Sequence, residues 1–409
     1  MHTPFNDMSR EDQLKEVIKR VHQGDSVQDL KHEFRYLLEH LSAEEVASME
    51  QSLVNEGFPV ESIQELCEIH VDVFEDSLKK NIEQTQQDTH PVTVFKKENR
   101  ELERRLKEIK QQLKKIKKNS SQSAYERLLE LAQELRTFEH HYLRKENQLF
   151  PKLEAIGFTG PSSVMWGKHD EIRGALKAFI TAVQQKASPK ELKSLYSTVA
   201  KKMEKMIFME EKILFPTSMK KLTEEEWSRI RQEEQEIGLA WLEQTQQDDL
   251  LKTQLPPSPE QVYYGDEEDM MDKPIQIPLN EGYLTQQQLD LMLRTLPFDI
   301  TFVDEHDQVR YYSATDDRVF PRTPSIIGRD VKNCHPPKSA HIVENIVKAF
   351  KNKERDSAEF WIQLQEKTIP IRYYPLYDAG GTYRGTIEVS QDITEIKDIE
   401  GERRLLDWE

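Results

Sequence analysis

The fold of the middle of this chain is decided by the stretch Glu146-Asn-Gln-Leu-Phe-Pro151 and by its second version, Glu211-Lys-Ile-Leu-Phe-Pro216. In each, a glutamate stands five residues before a proline, and Leu-Phe precedes the proline. Each stretch closes a long segment in which apolar residues recur every three or four positions, the spacing of one face of an α-helix. The repeated pattern predicts that two helices of the same design end at these points.

The same spacing, followed outward in both directions, predicts four helices. An apolar stripe on the first runs from Phe95 to Ile116, and the fourth begins at Ser188 with a serine cap. The two between them are expected over Glu126–Leu153 and Ser163–Gln185. Four helices with short connections predict an antiparallel bundle over residues 87–242.

The composition excludes several classes of protein. A net charge of −17 argues against nucleic-acid binding, and charged residues at 32% favour long solvated helices. No apolar run is long enough for a membrane span, and the N-terminus lacks the plan of a signal peptide. The two cysteines, Cys67 and Cys334, suggest no disulfide framework. We therefore expect a soluble, cytoplasmic protein with neither a membrane nor a nucleic-acid partner.

The sign of the charge changes along the chain and indicates domain boundaries. Residues 90–242 carry 30 basic and 22 acidic groups, whereas the segments on either side are acidic. Helical spacing before the bundle predicts a small all-α domain over residues 1–86, of unknown function. Residues 243–281 contain five prolines and are expected to form an extended acidic linker.

Beyond the linker the periodicity becomes strand-like. A hairpin is predicted over residues 299–312 and a helix over Ser339–Lys351. Three antiparallel strands are then expected at Ala358–Leu364, Pro370–Tyr377 and Tyr383–Ser390. The fold class is therefore multidomain: two all-α units followed by an α+β domain with an antiparallel sheet over residues 282–409.

Candidate metal ligands are distributed over all four bundle helices. Iron and manganese take neutral imidazoles and carboxylates, and side chains on facing helices converge in a bundle core. At this point the segment resembles the hemerythrin-like HHE cation-binding family, whose His-x-x-x-Glu elements end in similar Leu-Phe-Pro runs. The resemblance implies a di-iron centre of non-haem iron, in which His90 and His169 resemble the ligands of the first and third helices and Glu146 and Glu211 the bridging carboxylates. With His141 added from the second helix, the candidate ligand set is His90, His141, Glu146, His169 and Glu211.

The sequence departs from the family pattern at two positions. Tyr142 stands four residues before Glu146, and Ile207 stands four before Glu211, where the family has histidines. His141 is one residue out of place and, on a regular helix, lies roughly 140° around from Glu146. Either a local bulge brings His141 inward or Tyr142 takes its place. The metal site is then histidine-poor, with one ion or weaker binding, or it is lost.

The flanking units carry resemblances of their own. Met49-Glu50-Gln51 and Leu66-Cys67-Glu68-Ile69-His70 resemble an uncharacterised helical domain found before hemerythrin-like and PAS domains. The last unit resembles a PAS domain in Phe302-Val303-Asp304, Ile327-Gly328-Arg329 and Asp392-Ile393-Thr394. That resemblance implies a sensor and dimerisation module. Its ligand is unknown and haem is disfavoured, with Cys334 and His335 as the candidate binding residues.

Together these features predict a sensory protein. The bundle iron would respond to oxygen, nitric oxide or redox state, and the PAS unit would relay the signal to a partner protein or within a homodimer. Two alternatives stay open: a di-iron protein that handles iron or removes oxygen or nitric oxide, and a metal-free interaction scaffold. An enzyme is the less favoured class.

Overall fold

The computed structural model describes residues 90–118, 121–242, 276–315, 318–364 and 366–401, together with a few residues between 12 and 56. Most of the predicted N-terminal domain and most of the predicted linker lie outside these residues. Within the N-terminal part, a helix spans Val27–Glu33. The bundle and the sheet domain belong to two compact units and are described separately.

The bundle contains the four predicted helices. The first spans Pro91–Lys118, and the third spans Gly160–Gln184. The second begins at Gln122 behind the cap Ser121 and continues through short 3₁₀ and π turns to Ala155. The fourth begins at Pro189 behind the cap Ser188 and continues to Lys221. The helical middle of the chain is thereby confirmed.

The two repeated stretches form matching π turns, at Lys145–Leu149 and at Glu210–Leu214. Each turn is closed by a bond from a phenylalanine N–H to the carbonyl five residues earlier, Phe150 to Lys145 and Phe215 to Glu210. The proline after each phenylalanine has no N–H to continue the four-residue ladder. The sequence repeat therefore marks two local bulges at equivalent points of facing helices.

A fifth helix, at Glu224–Ile237, follows the bundle and was not predicted. It begins with a capping box in which Thr223 and Glu226 bond each other's backbone N–H. Trp227 and Ile230 on this helix are buried in the same apolar core as the four bundle helices. The helix therefore belongs to the bundle and covers one end of its interior.

The C-terminal domain is built on a five-stranded antiparallel sheet. Its strands are β3 (Asp299–Asp304), β4 (Val309–Tyr312), β5 (Ala358–Leu364), β6 (Lys367–Tyr377) and β7 (Tyr383–Ser390). They lie in the order β4-β3-β7-β6-β5, so that the first strand of the domain pairs with the last. The predicted α+β class and the predicted strands are confirmed.

Helices cover one face of this sheet. A helix over Pro337–Lys351 places Phe350 against Ile369, Ile371 and Tyr373 of β6. Before the sheet, β1 (Gln276–Pro278) pairs with β2 (Tyr283–Thr285), and a helix follows over Gln286–Thr295. Strand β1 thus lies in the segment predicted as linker. No helix among the described residues is both long and apolar enough to cross a membrane.

Candidate metal centre of the bundle

A lysine ammonium lies at the centre of the bundle. Lys145 is fully buried, and its Nζ donates a hydrogen bond of 2.8 Å to His169 Nε2 and another to Glu210 Oε1. These three side chains come from the second, third and fourth helices. The π turns begin at Lys145 and at Glu210, so both bulges lie at the level of this contact.

His169 is held on both ring nitrogens. Its Nδ1 donates to Glu146 Oε1 at 2.7 Å, while its Nε2 accepts from Lys145. Arg173 donates two hydrogen bonds of 3.0 Å to the two carboxylate oxygens of Glu146 and also forms an ion pair with Glu139. The Tyr142 ring stacks on the His169 ring at 4.3 Å between centroids. The imidazole is therefore fixed in orientation and tautomer.

A second set of charges lies on the other side of Glu210. The His141 ring stands between two carboxyl groups, with Nδ1 2.8 Å from Glu98 and Nε2 3.2 Å from Glu210. Arg144 donates to Glu98 and, at 2.9 Å, to Glu234 of the fifth helix. Glu98 also accepts the Ala240 backbone N–H at 2.6 Å. Glu98, His141 and Arg144 are fully buried.

Burial and neighbouring charges together set the protonation of these groups. Burial lowers the pKa of Lys145, although Glu210 opposes the shift. Burial, with Lys145 and Arg173 nearby, holds the pKa of His169 well below its usual value, so the ring stays neutral. Burial alone would raise the pKa of Glu210, but Lys145 and His141 outweigh it and lower the pKa to about 2. Burial raises the pKa of Glu146 to about 7, although the nearby Arg173 guanidinium opposes this shift.

Three of the five predicted ligands come together in this network: His141, Glu146 and His169. His141 and Tyr142, the two candidates for the ligand position before Glu146, are both buried. His141 faces Glu98 and Glu210, whereas Tyr142 stacks on His169. The structure therefore buries both side chains, His141 between two carboxyl groups and Tyr142 against His169, and the metal-binding role of either stays a prediction.

The other two predicted ligands have different surroundings. The half-buried His90 ring packs against Trp227 at 4.9 Å, and its Nδ1 accepts the Val92 N–H at 3.1 Å. Glu211 pairs with Arg100 and accepts at 3.2 Å from the Asn99 amide that also donates to Glu210. Its neighbour Glu210 points into the core instead.

The sequence reasoning missed Lys145, Glu98 and Arg144. One signal was present: His141 and Lys145 are four residues apart, about 40° around a helix, so they share a face. The second helix thus carries His141-x-x-x-Lys145, one residue before the positions of the family's His-x-x-x-Glu element. Because a charged side chain at a core position is uncommon, the spacing alone does not identify Lys145.

The residues present do not fit a bound iron. His169 donates from Nδ1 to Glu146 and accepts at Nε2 from Lys145. Lys145 also donates to Glu210 Oε1. Glu210 Oε2 accepts from Asn99 at 2.9 Å and faces His141. Among the described residues, no three His, Cys, Asp or Glu side chains are arranged to hold a metal ion.

In the C-terminal domain, Cys334 packs as an apolar side chain against Val303, Val309 and Ile326. His335 follows it and is partly buried. A separate groove of about 490 Å³ lies between the Pro337–Lys351 helix and β5, lined in part by His341, Asn345 and Phe350. The predicted ligand-binding roles of Cys334 and His335 stay predictions.

Comparison with protein families matches three segments of the chain. Residues 14–80 match a family of unknown function (DUF438), residues 90–218 the hemerythrin HHE cation binding domain, and residues 289–394 a PAS domain. The chain joins a DUF438 segment, a hemerythrin domain and a PAS domain. The four-helix core and the five-stranded sheet described above are thus the hemerythrin and PAS domains.

Comparison with solved structures gave matches that cover about a quarter to a third of the chain. A C-terminal domain from Streptococcus mutans is 35% identical over 32% of this chain and all of its own length, with a TM-score of 0.30. A PAS domain from Colwellia psychrerythraea is 17% identical over 27% of this chain and 97% of its own, with a TM-score of 0.21. A sensory box sensor histidine kinase from Vibrio cholerae is 16% identical over 26% of this chain and 89% of its own, with a TM-score of 0.21. Comparison with curated proteins gave no significant match.

Proposed function

We propose that this chain is a sensory signalling protein that acts through self-association of its PAS domain. The supporting observation is an exposed aromatic and apolar surface on the sheet face opposite the helices. Ile369, Ile371 and Tyr373 of β6 face the helices and are buried, so the residues between them face outward. On this outer face Trp361 is 68% exposed, the largest apolar side chain left uncovered on the sheet among the described residues.

The outer face spans three strands, with the ion pair of Arg372 and Glu359 between its apolar parts. Trp361 of β5 lies opposite Pro370 of β6, and Tyr374 of β6 lies opposite Ile387 of β7. Tyr374 is also exposed, as is Leu376 two residues further along β6. Aromatic residues at the centre of an apolar surface are typical anchors of protein interfaces. The occupant we propose is the same face of a second copy, because a two-fold interface needs one self-complementary surface.

Replacing the exposed tryptophan tests this function. Trp361→Ser in the full chain is expected to weaken the dimer by about 2 kcal/mol, which raises its Kd about 25-fold. Sedimentation velocity from low to high micromolar concentration measures the change. Tyr283→Ser is the matched control, because Tyr283 is 64% exposed and belongs to the separate two-stranded sheet of β1 and β2. A chain that is monomeric throughout, or equal effects of the two variants, would contradict the proposal.

Iron-dependent sensing is the second candidate. It is favoured by the hemerythrin match and by the convergence of His141, Glu146 and His169 in one core. Under this alternative the bundle responds to oxygen, nitric oxide or redox state, or it handles iron. It requires Lys145 to leave His169 and Glu210. To test it, the chain is incubated with Fe²⁺ in the absence of air, desalted, and then exposed to oxygen or nitric oxide. This alternative predicts iron absorption bands that change on exposure to the gas. A spectrum without iron bands, unchanged by either gas, would eliminate the candidate.

A further inference from the structure

The centre of the hemerythrin domain contains a cation of its own. Lys145 Nζ lies within hydrogen-bond reach of one imidazole and one carboxylate from two facing helices. We infer that the Lys145 ammonium takes the place of a bound cation in this domain, so that the native bundle takes up no divalent metal. Its side chain comes from the helix face that also carries His141, four residues earlier.

The donor atoms support this assignment one by one. A metal ligand needs a free lone pair, and the Nε2 lone pair of His169 accepts from Lys145. Glu210 Oε1 accepts from the same ammonium, and its Oε2 accepts from Asn99 Nδ2. The second histidine, His141, has both nitrogens directed at carboxyl oxygens. A divalent ion would have to displace the ammonium to reach His169 Nε2 or Glu210 Oε1.

The charges of the buried side chains also support the inference that Lys145 takes the place of a bound cation. Buried carboxyl groups require paired cations, since an unpaired charge in a core is strongly unfavourable. Glu98 is paired with Arg144 and Glu210 with Lys145, while Glu146 is paired with Arg173. Each buried carboxyl group of the centre therefore has a side-chain cation already. A divalent ion added beside Lys145 would leave the centre with excess positive charge.

Removing the ammonium should expose a ready-made cation site. Glu146 holds the Nδ1–H of His169, which leaves Nε2 as the atom that would bind a metal. Glu210 supplies a carboxylate beside it. The amide oxygen of Asn99, bonded through its nitrogen to Glu210, is buried and has no hydrogen-bond partner among the described side chains and backbone. Lys145→Ala would thus leave the His169 imidazole and the Glu210 carboxylate around a vacated space, with the unpaired amide oxygen of Asn99 one hydrogen bond away from that carboxylate.

Cobalt binding to the full chain tests the inference. The native chain, Lys145→Ala and the control Lys177→Ala are incubated with Co²⁺ and desalted, and metal per chain and visible absorption are measured. Lys177 is an exposed lysine on the third helix, outside the network. We expect about one cobalt per chain with a visible ligand-field band in Lys145→Ala alone, and less than about one-tenth in the other two. The double variant Lys145→Ala with His169→Gln is expected to lose the band.

Three outcomes would overturn the inference. One is stoichiometric cobalt in the native chain. The second is a folded Lys145→Ala variant, with native helical circular dichroism, that takes up no cobalt. The third needs no variant: cobalt raises the melting temperature of the native chain, as a ligand that binds only the folded state must. An unchanged native melting temperature supports the inference even if Lys145→Ala fails to fold.

Discussion

Breaking the Lys145–Glu210 pair should be far more costly than breaking an ion pair on the bundle surface. Both side chains are fully buried, and Lys145→Met preserves most of the volume while leaving Glu210 without its ammonium partner. Removing one partner of a buried pair costs about 3–5 kcal/mol. For a domain of this size that lowers the melting temperature by roughly 10 °C. His141 and Asn99 still donate to Glu210, so the lower end of the range is expected.

A double-mutant cycle measures the interaction itself. The chains compared are the native protein, Lys145→Met, Glu210→Gln and the double variant, by urea unfolding followed through the helical signal. Because the double variant has no uncompensated charge at this pair, it should be less destabilised than the sum of the single variants by about 2 kcal/mol. Arg104→Met is the surface control: its pair with Glu108 is solvent-exposed and should contribute about 0.3–0.5 kcal/mol. Additive effects, or a Lys145→Met cost equal to the control, would refute the reasoning.

Two further predictions concern the network and the sheet. Arg173→Lys removes the two-bond fork to Glu146 and should cost about 1.5–3 kcal/mol in urea unfolding; an unchanged midpoint would count against the fork. Gly385→Ala should destabilise the PAS domain by about 3 kcal/mol, because φ is +140° and a Cβ would lie 2.2 Å from the Val303 carbonyl oxygen. Gly328→Ala, with φ +82° and open space, should cost about 1 kcal/mol; equal losses for the two glycines, read from the sheet signal, would contradict this.

The sequence was sufficient for the fold because its patterns are local. Alternation along 358–364 and 383–390 predicted β5 and β7 at their observed bounds. The Ser188 cap and the apolar spacing likewise predicted the bundle helices, although the second begins at Gln122, earlier than predicted. The fifth helix was missed because its start, Thr223 with Glu226, follows directly on the fourth helix and its apolar residues are few.

The centre of the bundle could be predicted only in part, because it depends on pairing between helices. The repeat ending in Pro151 and Pro216 predicted helix ends, but the structure has π turns there and the helices continue to Ala155 and Lys221. Nor did the repeat show which glutamate of the Glu210-Glu211 pair faces inward. Helical spacing from Lys145 to His141 is local, whereas its contact with His169 is made only in the folded bundle. A buried lysine is stable only where such partners meet it, and a single sequence does not show them.

The most direct test of the account is the iron content of the full native chain after incubation with Fe²⁺ in the absence of air, followed by desalting. With Lys145 in the place of the cation, we predict less than about one-tenth of an iron per chain and no iron absorption on exposure to air. One or two irons per chain, with an absorption band that appears in air, would contradict it.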